Sequence, residues 1–293
     1  MIKTLLSRVR EFKKPSILTP ICMVGEVFME VLIPLLMASL IDNGIEGNNG
    51  QGDLNHIYLM AGLIMIACIL SLLAGFGGGK FGAIASTGFA RNLRKDMFHK
   101  VQEYSFENID KFSTSSLVTR LTTDVTNVQQ SFMMIIRTAI RAPFMFIFSI
   151  IMAFTVGGQM AFIFVIIVPI LLFTLIMVAK KAMPIFKKVF KKYDTLNNSI
   201  QENVQGMRVV KSFVREEHEI ERFGEASDDV KNDFTRAEKI LAFNSPIMQF
   251  CMYSIMLSVL FLGSYVLIQT TGNAFDVGNF SMLLTYGIQM LMS

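Results

Sequence analysis

The sequence is short of charge. Aspartate, glutamate, lysine and arginine make up 17% of its 293 residues against 52% apolar residues, and the mean hydropathy is +0.49. A soluble domain of this size needs more charge to cover its surface, so a water-soluble globule is excluded. Cysteine is scarce as well. Cys22, Cys68 and Cys251 each stand inside an apolar run, at spacings with neither a metal-binding nor a disulfide pattern. They read as small hydrophobic side chains, and no metal site is expected. Neither G-x-S-x-G nor H-E-x-x-H occurs, which leaves intramembrane and metal-dependent proteolysis without support. No apolar run carries arginine at every third position, as a voltage sensor would. No small-residue cleavage site follows the first apolar segment, and at about 25 residues that segment is too long for a signal-peptide core. It reads as a retained membrane span.

What the sequence has in abundance is apolar runs of bilayer length, about 20 residues or more each. Spans are expected at approximately 16–41, 57–79, 138–155, 159–179, 245–271 and 280–293. The third and fourth form one long run, interrupted at Thr155-Val-Gly-Gly-Gln159, a composition suited to a tight turn. The sixth is still apolar at Ser293, which predicts that the parent polypeptide continues. Lysine and arginine then set the orientation. Five lie in the N-terminal arm (Lys3, Arg8, Arg10, Lys13, Lys14), nine between Lys80 and Arg141 and thirteen between Lys180 and Lys239, which accounts for all 27. The intervening turns carry none, only acids such as Asp42, Glu46, Asp53 and Asp276. By the positive-inside rule the N-terminus and both long loops are cytosolic.

Those loops, at about 80–137 and 180–244, read as helical hairpins rather than linkers. Proline is absent from Phe81 to Glu103, where Phe89, Leu93, Met97 and Val101 recur at helical spacing. Ile185–Phe213 and Ile220–Leu241 show the same periodicity, and an arm of about 25 residues reaches about 35–40 Å. The expected fold is therefore an all-α membrane protein, six transmembrane helices with two long cytosolic helical hairpins. Gly206 and the β-branched pair Val209-Val210 are expected to break the descending helix of the second hairpin, with a short turn around Lys211–Glu217 lying across its tip.

One motif misleads. Gly77-Gly-Gly79-Lys-Phe-Gly82 satisfies G-x-G-x-x-G, and its lysine gives it the look of a phosphate loop. Both nucleotide motifs need a strand feeding a glycine turn and then a helix. Here the glycines end a transmembrane helix, and Phe81 stands where a phosphate loop has Ser or Thr. Gly75/Gly79 and Gly78/Gly82 repeat at four-residue spacing, which points to close helix packing. With no phosphate loop, acidic base or Mg²⁺ site, the isolated chain is expected to hydrolyse no ATP.

The loop tips carry the most specific sequences. The first loop contains Phe106-Glu-Asn-Ile-Asp-Lys-Phe-Ser-Thr-Ser-Ser-Leu-Val-Thr-Arg-Leu-Thr-Thr-Asp-Val-Thr-Asn127, and the second Gln201-Glu-Asn-Val-Gln-Gly-Met-Arg-Val-Val-Lys-Ser-Phe-Val-Arg-Glu-Glu217. These resemble the intracellular loops of ATP-binding-cassette (ABC) exporters of the multidrug and lipid-A-flippase type, whose loops read roughly F-F-[DN]-x-x-x-T-G-x-L-x-S-R-L-x-x-D-V and E-N-x-x-G-[IM]-R-V-V-K-x-F-x-R-E-x. The second match is nearly complete, and the first departs at Ser115 and Ser116. The resemblance extends through Ile41-Asp-Asn-Gly-Ile45, and Met133-Met-Ile-Ile-Arg137 with Arg141-Ala-Pro143 is most similar to one half of bacterial heterodimeric exporters.

The resemblance implies a permease domain of an exporter in a bacterial plasma membrane. Its implied partners are a nucleotide-binding domain beyond residue 293, which would hold ATP and Mg²⁺, and a second half-transporter, identical or not. The cargo would be a small molecule, a lipid or a peptide; no nucleic acid is expected. It also implies two coupling helices: Asn108-Ile109-Asp110-Lys111-Phe112-Ser113-Thr114-Ser115-Ser116 and Val210-Lys211-Ser212-Phe213-Val214-Arg215-Glu216-Glu217. A G-x-x-x-x-G-K-[ST] in the parent protein would separate this reading from its alternative, a six-span secondary transporter or channel without ATP coupling.

Four charged residues in or beside the spans are candidates for function. Glu26 and Glu30, four residues apart on one face of the first span, either face a cavity for cationic or polar substrates or hydrogen-bond across helices. Arg137 and Arg141 either anchor lipid headgroups or form a gate ion pair. The 21 methionines and 26 phenylalanines suit an adaptable cavity or ordinary packing. Pro20, Pro34, Pro143, Pro169 and Pro246 are expected to bend spans.

Overall fold

The computed structural model describes residues 4–5, 7–47, 52–105, 114–269 and 277–292, without the side chains of Thr114, Gln159, Leu267 and Gln269. Every regular element among them is helical. After a short N-terminal turn, Ser7–Phe12, come α1 (Lys13–Ser39) and α2 (Leu54–Gln102). Then follow α3 (Thr114–Thr119), α4 (Val125–Met134) and α5 (Ile140–Gly157), joined end to end by π-helical turns at Arg120–Asp124 and Ile135–Ala139. The last four are α6 (Phe162–Ser212), α7 (Glu216–Ala242), α8 (Asn244–Gln269) and α9 (Val277–Met292). Among the described residues five helical stretches are long and apolar enough to cross a membrane; α9 has 16 described residues, below that length. With 49 and 51 residues, α2 and α6 are about 75 Å long at 1.5 Å per residue, so each outruns a hydrocarbon core of about 30 Å.

Two bodies form: Met1–Ala161 with Val259–Ser293, and Phe162–Ser258. In the first, α1 lies along α2, and α9 packs on α1 and α5. Small residues on α2 allow the approach. A Cβ at Gly82 would stand 3.3 Å from Thr19 Cγ2 and one at Gly78 would collide with Met23, whereas Gly79 faces open space. The packing face is therefore Gly75, Gly78 and Gly82, and the expected Gly75/Gly79 pairing is corrected: steps of three and then four track one face of a 3.6-residue helix better than fours alone. The whole glycine run is helix interior, the opposite of a phosphate-loop turn. Tyr286 of α9 is fully buried, and its hydroxyl donates to the Val31 carbonyl at 2.6 Å. At the other end of α9 the Gly278 N–H donates to Asp42 Oδ1 at 2.5 Å, a carboxylate capping a helix start where the helix dipole favours negative charge.

The N-terminal turn is held on α2 by Arg8 Nη1 and Arg10 Nη2, which lie 2.8 and 3.1 Å from the Asp96 carboxylate, and by Asn92, which donates to the Arg8 carbonyl. The chain leaves α5 at Gly158, whose φ of +48° suits a residue without Cβ. Pro246 falls in the first turn of α8, inside the helical stretch Glu216–Val266, where it cannot donate to the carbonyl of Ala242 four residues earlier.

In the second body α6 and α7 form an antiparallel hairpin. Ala182 and Val189 of α6 and Ala237 of α7 are buried in it, and Phe186 meets Phe234 edge to face at 5.9 Å. α6 continues unbroken through Gly206, Val209 and Val210 to Ser212, against the expected break. A helical glycine costs only about 1 kcal/mol relative to alanine, and a 51-residue helix packed against a partner absorbs that.

Candidate functional site

Glu26 and Glu30 project from one face of α1 toward the first turn of α5. Arg141 Nη2 lies 2.7 Å from both Glu30 carboxylate oxygens and 3.9 Å from Glu26 Oε1. Glu26 is wedged against α2, where a Cβ added to Gly75 would stand 3.2 Å from its Oε1. The backbone around Arg141 is loosened on both sides. The π-helical turn Ile135–Ala139 precedes it, and Pro143 follows, unable to donate to the carbonyl of Ala139. The arginine is thereby presented across the helix interface.

A cavity of about 460 Å³ opens beside this ion pair. Glu30, Ile33 and Pro34 of α1, Arg141 and Met145 of α5, and Thr285, Gln289 and Met292 of α9 line it. Two of its polar atoms are buried without a hydrogen-bond partner among the described residues: Arg141 Nε, a donor, and Gln289 Oε1, an acceptor. The chemistry on offer is recognition of a ligand that is part charged and part apolar. Arg137 is exposed and in no ion pair among the described residues. Of the two arginines only Arg141 has a counter-ion among the described residues. Thr285 and Gln289 escaped notice in the sequence, although two polar residues four apart fall on one helix face.

The second body presents a different surface. Phe213–Arg215 reverse the chain between α6 and α7, so the segment Val210–Glu217 is the end of one helix, a three-residue turn and the start of the next. The reversal is a Schellman motif: the Arg215 N–H donates to the Val210 carbonyl at 3.0 Å and the Val214 N–H to the Lys211 carbonyl at 3.3 Å. Val214 holds the left-handed position, φ +51°, that such motifs usually give to glycine. Its side chain is 82% exposed, and Phe213 and Ile220 beside it are nearly as bare. Behind the tip an apolar groove of about 480 Å³ runs between the arms, lined by residues that include Val204, Met207, Ile220 and Phe223.

Further along the hairpin, Lys192 Nζ sits 2.8 Å from Asp233 and 3.1 Å from Asp229. The Lys192 ammonium beside it holds the Asp233 carboxyl below its ordinary range, and donating to Asp233 and Asp229 pushes the Lys192 ammonium above its own. Of the first coupling segment, Asn108 to Ser113 lie outside the described residues; Thr114, Ser115 and Ser116 open α3.

A model of the ABC transporter transmembrane region matches residues 16–293. The chain belongs to that family. Relatives agree with it. Over 270 residues the ABC transmembrane chain is 31% identical to the uncharacterized ABC transporter ATP-binding protein YfiB of Bacillus subtilis, covering 92% of this chain and 46% of that protein. It is 24% identical to the uncharacterized ABC transporter ATP-binding protein YknU of the same organism, covering 90% and 44%. It is 23% identical to the ATP-dependent lipid A-core flippase of Pseudoalteromonas translucida, covering 89% and 44%. The chain thus spans about half the length of the curated relatives it matches.

Proposed function

We propose that this ABC transmembrane domain forms one half of an outward translocation pathway in a bacterial plasma membrane and is driven through its helical hairpins by a nucleotide-binding domain. The carrying observation is the bare apolar tip of the second hairpin, Phe213, Val214 and Ile220, at the end of α6, a helix far longer than a bilayer is thick. An apolar patch at the end of a rigid lever suits a docking contact that transmits rigid-body motion. In this reading Val210–Glu217 and Asn108–Ser116 are the coupling segments, and the N-terminus and both hairpins are cytosolic. The spans follow the six-run assignment of the sequence. ATP and Mg²⁺ belong to the nucleotide-binding domain, a partner supported by relatives named ATP-binding proteins. The pathway is completed by a second half-transporter, identical or different. A small molecule, lipid or peptide is the cargo, and Glu26 and Glu30 favour cationic groups within it.

The test is ATP-driven transport by the full-length protein in proteoliposomes. Phe213→Asp combined with Val214→Asp is expected to abolish transport while ATP still binds. The purified transmembrane chain alone is expected to hydrolyse no ATP. Undiminished ATP-driven transport by the double variant, or transport that persists without ATP, would sink the proposal, the second outcome in favour of a secondary transporter or channel.

A further inference from the structure

Within that transport reading, the two charges that line the cavity and Glu26 beside them do not balance. When all are ionised, Glu26 and Glu30 carry two negative charges and Arg141 one positive, which leaves one negative charge uncompensated among apolar walls. A single charge in such surroundings strongly favours a counter-ion. The guanidinium also leaves one buried donor, Nε, unused, while Gln289 Oε1 offers a buried acceptor with no donor, and both residues line the same cavity. Each unmade hydrogen bond disfavours the present arrangement.

We infer that Arg141 is an internal stand-in for a monocationic amphipathic ligand: the ligand's cationic head displaces it from Glu30, and the released guanidinium is received by Gln289. The size fits, since about 460 Å³ lies within the range of small-molecule sites. The lining fits too, with Ile33, Pro34, Met145 and Met292 to take an apolar body. Ligand and arginine compete for one carboxylate, so Arg141 sets affinity from outside the ligand's own contacts, and Gln289 makes the exchange possible.

The experiment uses the full-length protein in phosphatidylcholine nanodiscs without ATP, with fluorescence polarisation of the monocationic dye rhodamine 6G and the zwitterionic rhodamine B. Wild type is expected to bind the cation more tightly than the zwitterion. Arg141→Gln should tighten rhodamine 6G binding by about tenfold or more, because the resident competitor is gone. Glu26→Gln with Arg141→Gln keeps the net charge of the site and should also bind more tightly than wild type, which guards against a single variant that fails to fold. Gln289→Leu should weaken binding about threefold in wild type and change nothing in the Arg141→Gln background, where no guanidinium needs receiving. Equal or weaker cation binding by both Arg141 variants overturns the inference. So does an equal effect of Gln289→Leu in the two backgrounds, which would make Gln289 an ordinary ligand contact. Because no ATP is present, these outcomes are independent of whether the hairpin variants uncouple transport.

Discussion

At Gly278 there is no room for one more carbon. A Cβ there would collide with the main-chain oxygen of Ala38 and press on the Asp42 carboxylate. A backbone obstacle cannot rotate away, so Gly278→Ala should destabilise the protein by about 1–3 kcal/mol. Gly79, with nothing within 4 Å, is the internal control. Gly79→Ala lies in a helix interior and should be neutral or gain up to about 1 kcal/mol from reduced chain entropy. Thermal unfolding in nanodiscs compares the two, and equal shifts would contradict the packing described. Sequence spacing treated Gly75, Gly78, Gly79 and Gly82 as two equivalent pairs, because periodicity locates a small-residue face without saying which neighbour it meets. Glu26, Glu30 and Arg141 were each legible as unusual charges. Their convergence was not, since it joins residues 111 positions apart.

Among the elements, the second hairpin shows what local pattern reveals and what it hides. Its two arms were plain from apolar periodicity, and the turn at Phe213–Arg215 falls inside the expected Lys211–Glu217, but the break expected at Gly206 and Val209-Val210 is absent. Propensity at one glycine yielded to the packing of a long helix pair. The turn itself places a β-branched residue where glycine is easiest. Val214→Gly keeps the left-handed turn and removes the Cβ penalty, which costs a non-glycine residue about 1–2 kcal/mol. Hydrogen exchange at the tip should therefore slow, while ATP-driven transport falls because an exposed apolar contact is gone. Faster transport with a more rigid tip would contradict the docking role. The Lys192–Asp233–Asp229 cluster gives the hairpin a defined pH window. Asp233 titrates below its ordinary 3.8 when folded, so its contribution is present above that pH and is lost as pH falls through the depressed value. Lys192 titrates above its ordinary 10.5, so its contribution is present below that pH and is lost as pH rises through the elevated value. Spin-label distances between α6 and α7 should stay narrow between these limits and broaden outside them. A Lys192→Met variant should lose the alkaline limit and weaken the acid one, where Lys188 still lies 3.8 Å from Asp233.

At the scale of the whole molecule, the class of protein could be read from charge and hydropathy alone, and the family from two loop sequences. Six apolar runs were read as spans; among the described residues five helical stretches meet the length and apolarity of a bilayer crossing, and α9 presents 16 described residues of the sixth run. The cavity was hidden, because α1, α5 and α9 each contribute only a few lining residues and the sequence does not state how distant helices dock. One contact bears on the order in which such a chain is built. The first turn of α9 is capped by Asp42, 236 residues earlier in the sequence. A contact of that sequence separation forms late. Asp42 leaves the ribosome long before the glycine whose amide it will accept, so the C-terminal end of α1 waits in the membrane for α9. The bundle is fastened at that end only when synthesis of these helices is nearly done, which makes the Asp42–Gly278 link a clasp rather than a foundation.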